Sequence, residues 1–249
     1  MSGRIRAGIG GWTFEPWRGV FYPRGLRQAD ELSYAAQRLG AIEINGTYYS
    51  TFKPGSFEKW AAQTPDGFSF AVKASRFCTN RKVLAGAGPS IDKFMGQGLA
   101  KLGDRLGPIL WQFMGTKKFD PSDFSDFLDL LPTQLDGRRL RHCVEVRHAS
   151  FVEPAFYAMC RERGVAICIS ENPNYPMIDE TTADFSYARL MKGSDEIETG
   201  YAETDLDAWA ARFEAHADAG RDVFAFFISA GKARAPAAAM ALSRRTESA

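Results

Sequence analysis

Eight short apolar runs rich in β-formers alternate along this chain with longer amphipathic stretches, and no other feature restricts its fold as strongly. The runs cover residues 5–10, 41–45, 68–74, 106–112, 142–147, 166–171, 185–190 and 223–228. Helical patterns fill most of the intervals, at 28–39, 90–102, 121–131, 153–163 and 205–219, and Pro236 opens a last alanine-rich helix. Asp120-Pro121 reads as a helix cap followed by proline in the first turn, and Gly164 and Gly220 read as helix stops. Eight strands separated by helices in 249 residues predict an α/β fold of one domain, a single (β/α)8 TIM barrel spanning residues 1–249. A doubly wound open sheet is the competing architecture. The sixth unit is expected to be irregular, because residues 172–184 are rich in Pro, Asn and Asp and read as loop.

Bulk properties exclude several classes. No apolar run approaches the about 20 residues that span a bilayer, so no membrane association is expected. The amino terminus enters a strand at once without a signal-peptide core, which predicts a cytoplasmic protein. The four cysteines, Cys78, Cys143, Cys160 and Cys168, form no C-x-x-C pair and read as reduced, mostly buried thiols. A net charge of +1 gives no footprint for bulk nucleic-acid binding. The local run Arg138-Arg139-Leu140-Arg141 reads as a solvated loop before a strand.

Polar residues interrupt the strands in a regular way. Side chains two apart share a strand face, so Glu43 lies with Asn45, Glu145 with Arg147, Lys73 with Ser69 and Ala71, and Tyr187 with Arg189. Their neighbours of opposite parity are Ile42, Ile44, Phe70, Val72, Val144 and Val146, which suit a helix-covered outside. The polar set therefore faces the barrel interior and clusters toward the strand C-termini, where barrel enzymes carry their sites. Gly8 and Gly10 on the first strand are expected to leave open volume there. Three cations against two carboxylates leave one positive charge, which favours a small anionic ligand such as a carboxylate or phosphate. The bland alternative is a hydrogen-bonded plug of ion pairs with a purely structural role.

The motifs also carry a resemblance. An opening block runs from Gly8 through Gly11-Trp12, Phe14, Trp17 and Gly19 to Phe21-Tyr22-Pro23. It is followed in order by Glu43-Ile44-Asn45-Gly46-Thr47-Tyr48-Tyr49, Phe68-Ser69-Phe70-Ala71-Val72-Lys73-Ala74, the block 107–112 ending in Gln112, and the block from Glu145 through Arg147-His148 to Phe151. In that order they resemble the DUF72, or YecE-like, proteins, a family without an established activity. The resemblance implies a TIM barrel and supplies no reaction. The chain departs from the family pattern at Met191, where a histidine is usual, and at Ser229 and Ala238, where asparagines are usual.

Acid–base chemistry needs a carboxylate or amine with a tuned pKa near charged partners. Glu43, Glu145 and Lys73 are the expected catalytic groups. Trp12, Asn45, Tyr48, Gln112, Arg147, His148, Tyr187 and Arg189 are expected to line the ligand site. Lys73 has the chemistry for a Schiff base, but an ion pair with Glu43 or Glu145 is the simpler expectation. Glu43, Glu145, His148 and Glu171 offer metal-ligand types, yet there is no H-x-H or H-E-x-x-H and His148 has the wrong parity, so no metal and no cofactor are expected. No nucleophile elbow or G-x-G-x-x-G occurs. Trp12, Phe14, Trp17, Tyr22, Tyr48, Tyr49, Trp111 and Tyr187 are placed around the mouth, where aromatic and basic groups together would suit stacked bases or sugars. Nucleic-acid binding or metal-assisted phosphodiester hydrolysis is therefore the second functional class, behind a small anionic partner. Packing of those rings over the barrel is the structural alternative.

Overall fold

The computed structural model describes residues 2–247, apart from the side chain of Ser229. Its strands are β1 (Ile5–Gly10), β2 (Ala41–Ile44), β3 (Ser69–Lys73), β4 (Leu106–Gln112), β5 (His142–Glu145), β6 in two pieces (Ala166–Ile167 and Ile169–Glu171), β7 (Phe185–Lys192) and β8 (Asp222–Ala230). All pair in parallel in chain order, and β8 pairs back onto β1. The first piece of β6 bonds β5 and the second bonds β7, so the ring closes through β6. Cys168, between the pieces, donates its N–H to Val144 O at 2.9 Å and carries the ladder across the break. The expected (β/α)8 barrel is therefore what forms, and not an open sheet.

The helices are α1 (Glu31–Ala36), α2 (Pro54–Ala62), α3 (Arg76–Thr79), α4 (Gly88–Met95), α5 (Pro121–Asp129), α6 (Pro154–Glu162), α7 (Glu203–Asp218) and α8 (Ala235–Thr246). The Asp120 carboxylate accepts the Ser122 and Asp123 amides at 3.1 and 3.2 Å, capping α5 as its sequence indicates. Gly164 and Gly220 stop α6 and α7 at φ of 63° and 81°. The helix α2 lies outside the patterns read above, because its opening Pro-Gly resembles a turn. No helix follows β6: residues 172–184 form an irregular crossing, as expected.

Strand parity sorts the core into two bodies. Ile42, Ile44, Phe70, Val72, Ile109, Val144 and Ile167 pack outward against the helices. Ala41, Ala71, Leu110, Cys143, Cys168, Phe185, Tyr187, Phe224 and Phe226 pack inside the ring. The interior is lopsided, with small residues on β2, β3 and β5 and aromatic rings on β7 and β8. At the N-terminal end Asp222 accepts Arg4 N at 2.9 Å and Arg141 Nη1 at 2.8 Å, closing the floor. Arg138–Arg139 is a short strand antiparallel to Gln134–Leu135 outside the barrel, not the loop expected, and the two arginines form surface ion pairs with Asp104 and Asp184. The four cysteines are buried and free. Among the described residues, no helix is long and apolar enough to cross a membrane.

Two expectations need correction. Gly8 and Gly10 leave no open volume. A Cβ at Gly8 would sit 2.1 Å from Ala41 O, and one at Gly10 would meet Ile228 Cγ2 at 2.7 Å and Asn45 Nδ2 at 3.0 Å. The glycines serve close strand approach, which a side chain would forbid. Second, Trp111 is not at the mouth. Its parity turns it outward, where it packs on Phe94 and Phe127 and donates to His142 Nδ1 at 3.0 Å. Trp17 and Tyr22 are likewise buried in loop packing, with Trp17 Nε1 on Lys232 O at 2.8 Å and Tyr22 OH on Trp12 O at 2.5 Å.

Gly8→Ala is expected to lower the stability measured by urea denaturation by at least about 2 kcal/mol, since the strands must part to admit the methyl group. Gly55→Ala, where no atom stands within 4 Å of the added carbon, is expected to be neutral or stabilising by up to about 1 kcal/mol. Equal effects would refute the close-approach account.

Candidate functional site

The charged strand residues meet at the C-terminal end of the barrel. Register places Glu43 beside Gly10 and Ala71, Gln112 beside Glu145, and Arg189 between Ser170 and Phe226. Arg189 joins the two carboxylates. Its Nε and Nη2 donate to the two oxygens of Glu43, each at 3.1 Å, and its Nη1 donates to Glu145 Oε2 at 2.6 Å. Tyr187 OH donates to Glu43 at 2.6 Å, and Gln112 Nε2 donates to Glu145 Oε2 at 2.7 Å. Arg147 Nε reaches the remaining oxygen of Glu145 at 2.9 Å. Both glutamates are wholly buried, yet every carboxylate oxygen has a charged donor.

Protonation follows from these contacts. Burial alone would raise the Glu145 pKa, but Arg189 and Arg147 outweigh it and hold the carboxyl below its usual range. Burial, reinforced by the Glu43 charge, pushes the Tyr187 hydroxyl well above its ordinary value. Burial works against the charge on Arg189, and Glu145 and Glu43 reverse that. The carboxylate Glu145 thus stays ionised and Tyr187 stays protonated across the neutral range. Neither has the poise of a general acid or base near pH 7.

Lys73 differs. It ends β3 and is only 6% exposed, yet no carboxylate stands within 4 Å of its amine among the described residues, so the expected ion pair with Glu43 or Glu145 does not form. Those carboxylates belong to the arginines, whose forked donors suit them better. The Lys73 Nζ instead sits 4.3 Å from the centre of the Tyr48 ring. Burial, with Arg189 beside it, brings the amine down to about 8. Thr47 Oγ1 donates to Lys73 O at 2.7 Å and pins the strand end.

The other expected site residues divide. Glu43, Lys73, Gln112, Glu145, Arg147, Tyr187 and Arg189 form one contiguous group, with Tyr48 against Lys73. Asn45 lies over β1, its amide 3.4 Å from Glu43 O. Trp12 packs edge-on against Trp60 and Phe70 on the outward side. His148 turns its Nδ1 to Ser150, accepting that residue's amide at 3.1 Å, and caps a turn. Glu171 also faces outward, bound by Tyr201 OH at 2.7 Å and Trp209 Nε1 at 3.0 Å. Of the four residues with metal-ligand chemistry, His148 and Glu171 are thus turned away from Glu43 and Glu145. Among the described residues no group of three or more His, Cys, Asp or Glu side chains is placed to hold a metal ion. Met191 faces the interior near Asn172, and Ala238 is buried in α8 against Gly200. Ser229 lies in β8 with its side chain outside the described residues.

Two elements of the mouth escaped sequence reasoning. Tyr175, from the irregular crossing after β6, packs on the interior cluster and lies 4.6 Å beneath the Arg147 guanidinium. Asn80 donates to Tyr48 OH at 3.0 Å, while its buried Oδ1 has no partner among the described residues. Neither sits in a strand, so parity could not locate them. Beside Tyr48 the rim also opens a cleft of about 340 Å³, lined by Thr47, Tyr49, Ser75, Phe77, Arg81 and Lys93 among others. A larger cleft, about 780 Å³, lies at the opposite end of the barrel among Gly3, Arg4, Gly40 and Gly67, remote from the charged group.

Arg189→Met is expected to destabilise the protein by about 3–5 kcal/mol in urea at pH 7, because buried Glu43 loses its counter-ion and buried Glu145 keeps only Arg147. Adding Glu43→Gln and Glu145→Gln should recover most of that loss. If the triple variant is no more stable than the single one, lost packing and not unpaired charge is the cause.

Comparison with known proteins completes the picture. No curated protein matches the chain. A DUF72 family protein of Thermotoga maritima superposes with a TM-score of 0.75 at 23% identity, over 98% of both chains. A DUF72 family protein of Enterococcus faecalis superposes with a TM-score of 0.77 at 16% identity, over 98% of this chain and 95% of the other. At these identities the likeness establishes the fold. The family model described as a protein of unknown function, DUF72, matches residues 6–249, so by nearly its whole length this chain belongs to the DUF72 family.

Proposed function

We propose that the C-terminal mouth of the barrel binds a small molecule carrying a carboxylate or phosphate, and that Lys73 supplies both the attraction and the proton transfer. One observation carries this reading: among the described residues Lys73 is a buried cation with no carboxylate within 4 Å, beside two glutamates that are already saturated. The surplus positive charge of the group is thereby localised on one amine. Its pKa of about 8 makes it the group poised to exchange a proton near neutrality, whereas Glu145 is held ionised by Arg189 and Arg147. In this reading Glu43 and Glu145 orient the cations and do not themselves carry protons to the ligand.

The reading has a stability signature. The folded-state pKa of Lys73 lies below its ordinary 10.5, so the charged amine costs stability. That cost, roughly 3 kcal/mol, is complete below pH 8. It is relieved between pH 8 and 10.5, where the folded protein has released a proton that the unfolded chain keeps. Lys73→Met should therefore melt higher than the unmodified protein at pH 7, with the difference shrinking as pH rises through that window. The unmodified protein should be stabilised by inorganic phosphate or malonate in a thermal-shift titration, less so above pH 8, and Lys73→Met should not respond. An undiminished response in the variant would remove Lys73 from the site.

The rim cleft favours a second reading, a single-stranded oligonucleotide crossing the mouth. Tyr49 and Phe77 are 64% and 61% exposed, and Arg81 and Lys93 line the same cleft without an acidic residue among its walls. Anisotropy with a fluorescent oligo-dT should then show affinity falling at least about tenfold between 50 and 200 mM salt, with a shallower slope for Arg81→Ala/Lys93→Ala. Absence of binding at 50 mM would dismiss this reading.

A further inference from the structure

Resting on the reading of the mouth as an anion site, we infer that Lys73 is a carbonyl-reactive amine whose substrate is a small oxo compound bearing a carboxylate or phosphate. The geometry separates it from an ordinary buried lysine. A lysine enclosed beside two glutamates would be expected to pair with one of them. Here Arg189 takes both oxygens of Glu43 and one of Glu145, while Arg147 and Gln112 complete Glu145. The amine is left against the Tyr48 ring with no acceptor among the described residues holding its protons, so its lone pair becomes available on loss of one proton.

The surroundings fit the rest of the step. Lys73 is the last residue of β3, and Thr47 Oγ1 bridges Ile44 O at 3.1 Å and Lys73 O at 2.7 Å, fixing the root of the side chain. An anchored root presents the amine in one place, as addition to a bound carbonyl requires. The neighbouring Arg147, 21% exposed at its side chain against 6% for Arg189, is the more open guanidinium of the group and can take the anionic end of the substrate. With the amine at about 8, roughly one molecule in ten carries neutral Lys73 at pH 7, several hundred times the fraction of an ordinary lysine.

The chemistry balances within the site and its substrate. Neutral Nζ adds to the carbonyl carbon, forming a C–N bond while the C=O π pair moves to oxygen. A proton passes from nitrogen to that oxygen to give the carbinolamine. Loss of the hydroxyl with one proton as water then leaves an imine between Lys73 and the substrate carbon. No oxidant or reductant takes part. The imine nitrogen then takes back the proton that Lys73 released before the addition, so the positive charge near Glu43 and Glu145, and the charge balance of the interior, are restored.

The test uses the whole protein, pyruvate and sodium cyanoborohydride, which reduces an imine to a stable secondary amine, followed by digestion and mass spectrometry. Lys73 should acquire one reduced pyruvate at least tenfold faster than any other lysine at pH 7.5, with a rate that rises through an inflection near pH 8. Lys73→Arg, which keeps a cation but has no nucleophilic amine, should lose the label. Labelling spread evenly over the lysines, with the phosphate shift intact, would overturn this inference and leave the anion site standing. Selective labelling without any phosphate shift would support the reactive amine and refute the anion site. Neither labelling nor shift would refute both.

Discussion

Arg189 holds the centre of this protein together. One guanidinium spans two wholly buried carboxylates from strands on opposite sides of the ring, Glu43 of β2 and Glu145 of β5. Burying either glutamate alone would be prohibitive, and burying the arginine alone would be as costly. Together they are tolerable because the forked donors meet both carboxylates, with Tyr187, Gln112 and Arg147 supplying the remaining hydrogen bonds. The upper barrel is thus closed by a polar network, while the lower barrel is filled by Phe185, Phe224 and Phe226.

That network also explains the isolation of Lys73. Lysine offers a compact ammonium and arginine a planar fork, so in competition for two carboxylates the arginines take the oxygens. The amine is left enclosed but unclaimed, beside Tyr48. An unpaired buried cation is a stability cost, and such costs concentrate where a site must meet something from outside. The saturated glutamates and the bare amine are therefore two consequences of one geometry.

Much of this was legible in the sequence. Strand positions agreed to within a residue or two, and parity sorted Glu43, Lys73, Glu145, Tyr187 and Arg189 onto one face because side chains alternate on any strand, whatever surrounds it. The irregular sixth unit was visible as a cluster of turn residues before β7. Sequence reasoning failed where loops decide. Trp12 and His148 lie beyond strand ends, where parity has no force, and they turned to Trp60 and Ser150. Gly8 and Gly10 were read as vacancies although neighbouring strands occupy the space, since a missing side chain does not reveal what fills its place. Tyr175 and Asn80 reach the mouth from irregular segments and left no periodic trace.

The alternation of apolar runs and helical patterns determined by itself that the chain makes an α/β fold, and two-residue periodicity determined which charges share a strand face. Both are local properties of the backbone, readable a few residues at a time. Which charge pairs with which was decided only by the tertiary structure. Five polar strand ends drawn from residues 43 to 189 compete for partners, and closure of the ring sets the distances among them. Arg189 reaching both glutamates, and Lys73 reaching neither, is an outcome of that closure, because electrostatic pairing depends on separation in space and not on position along the chain.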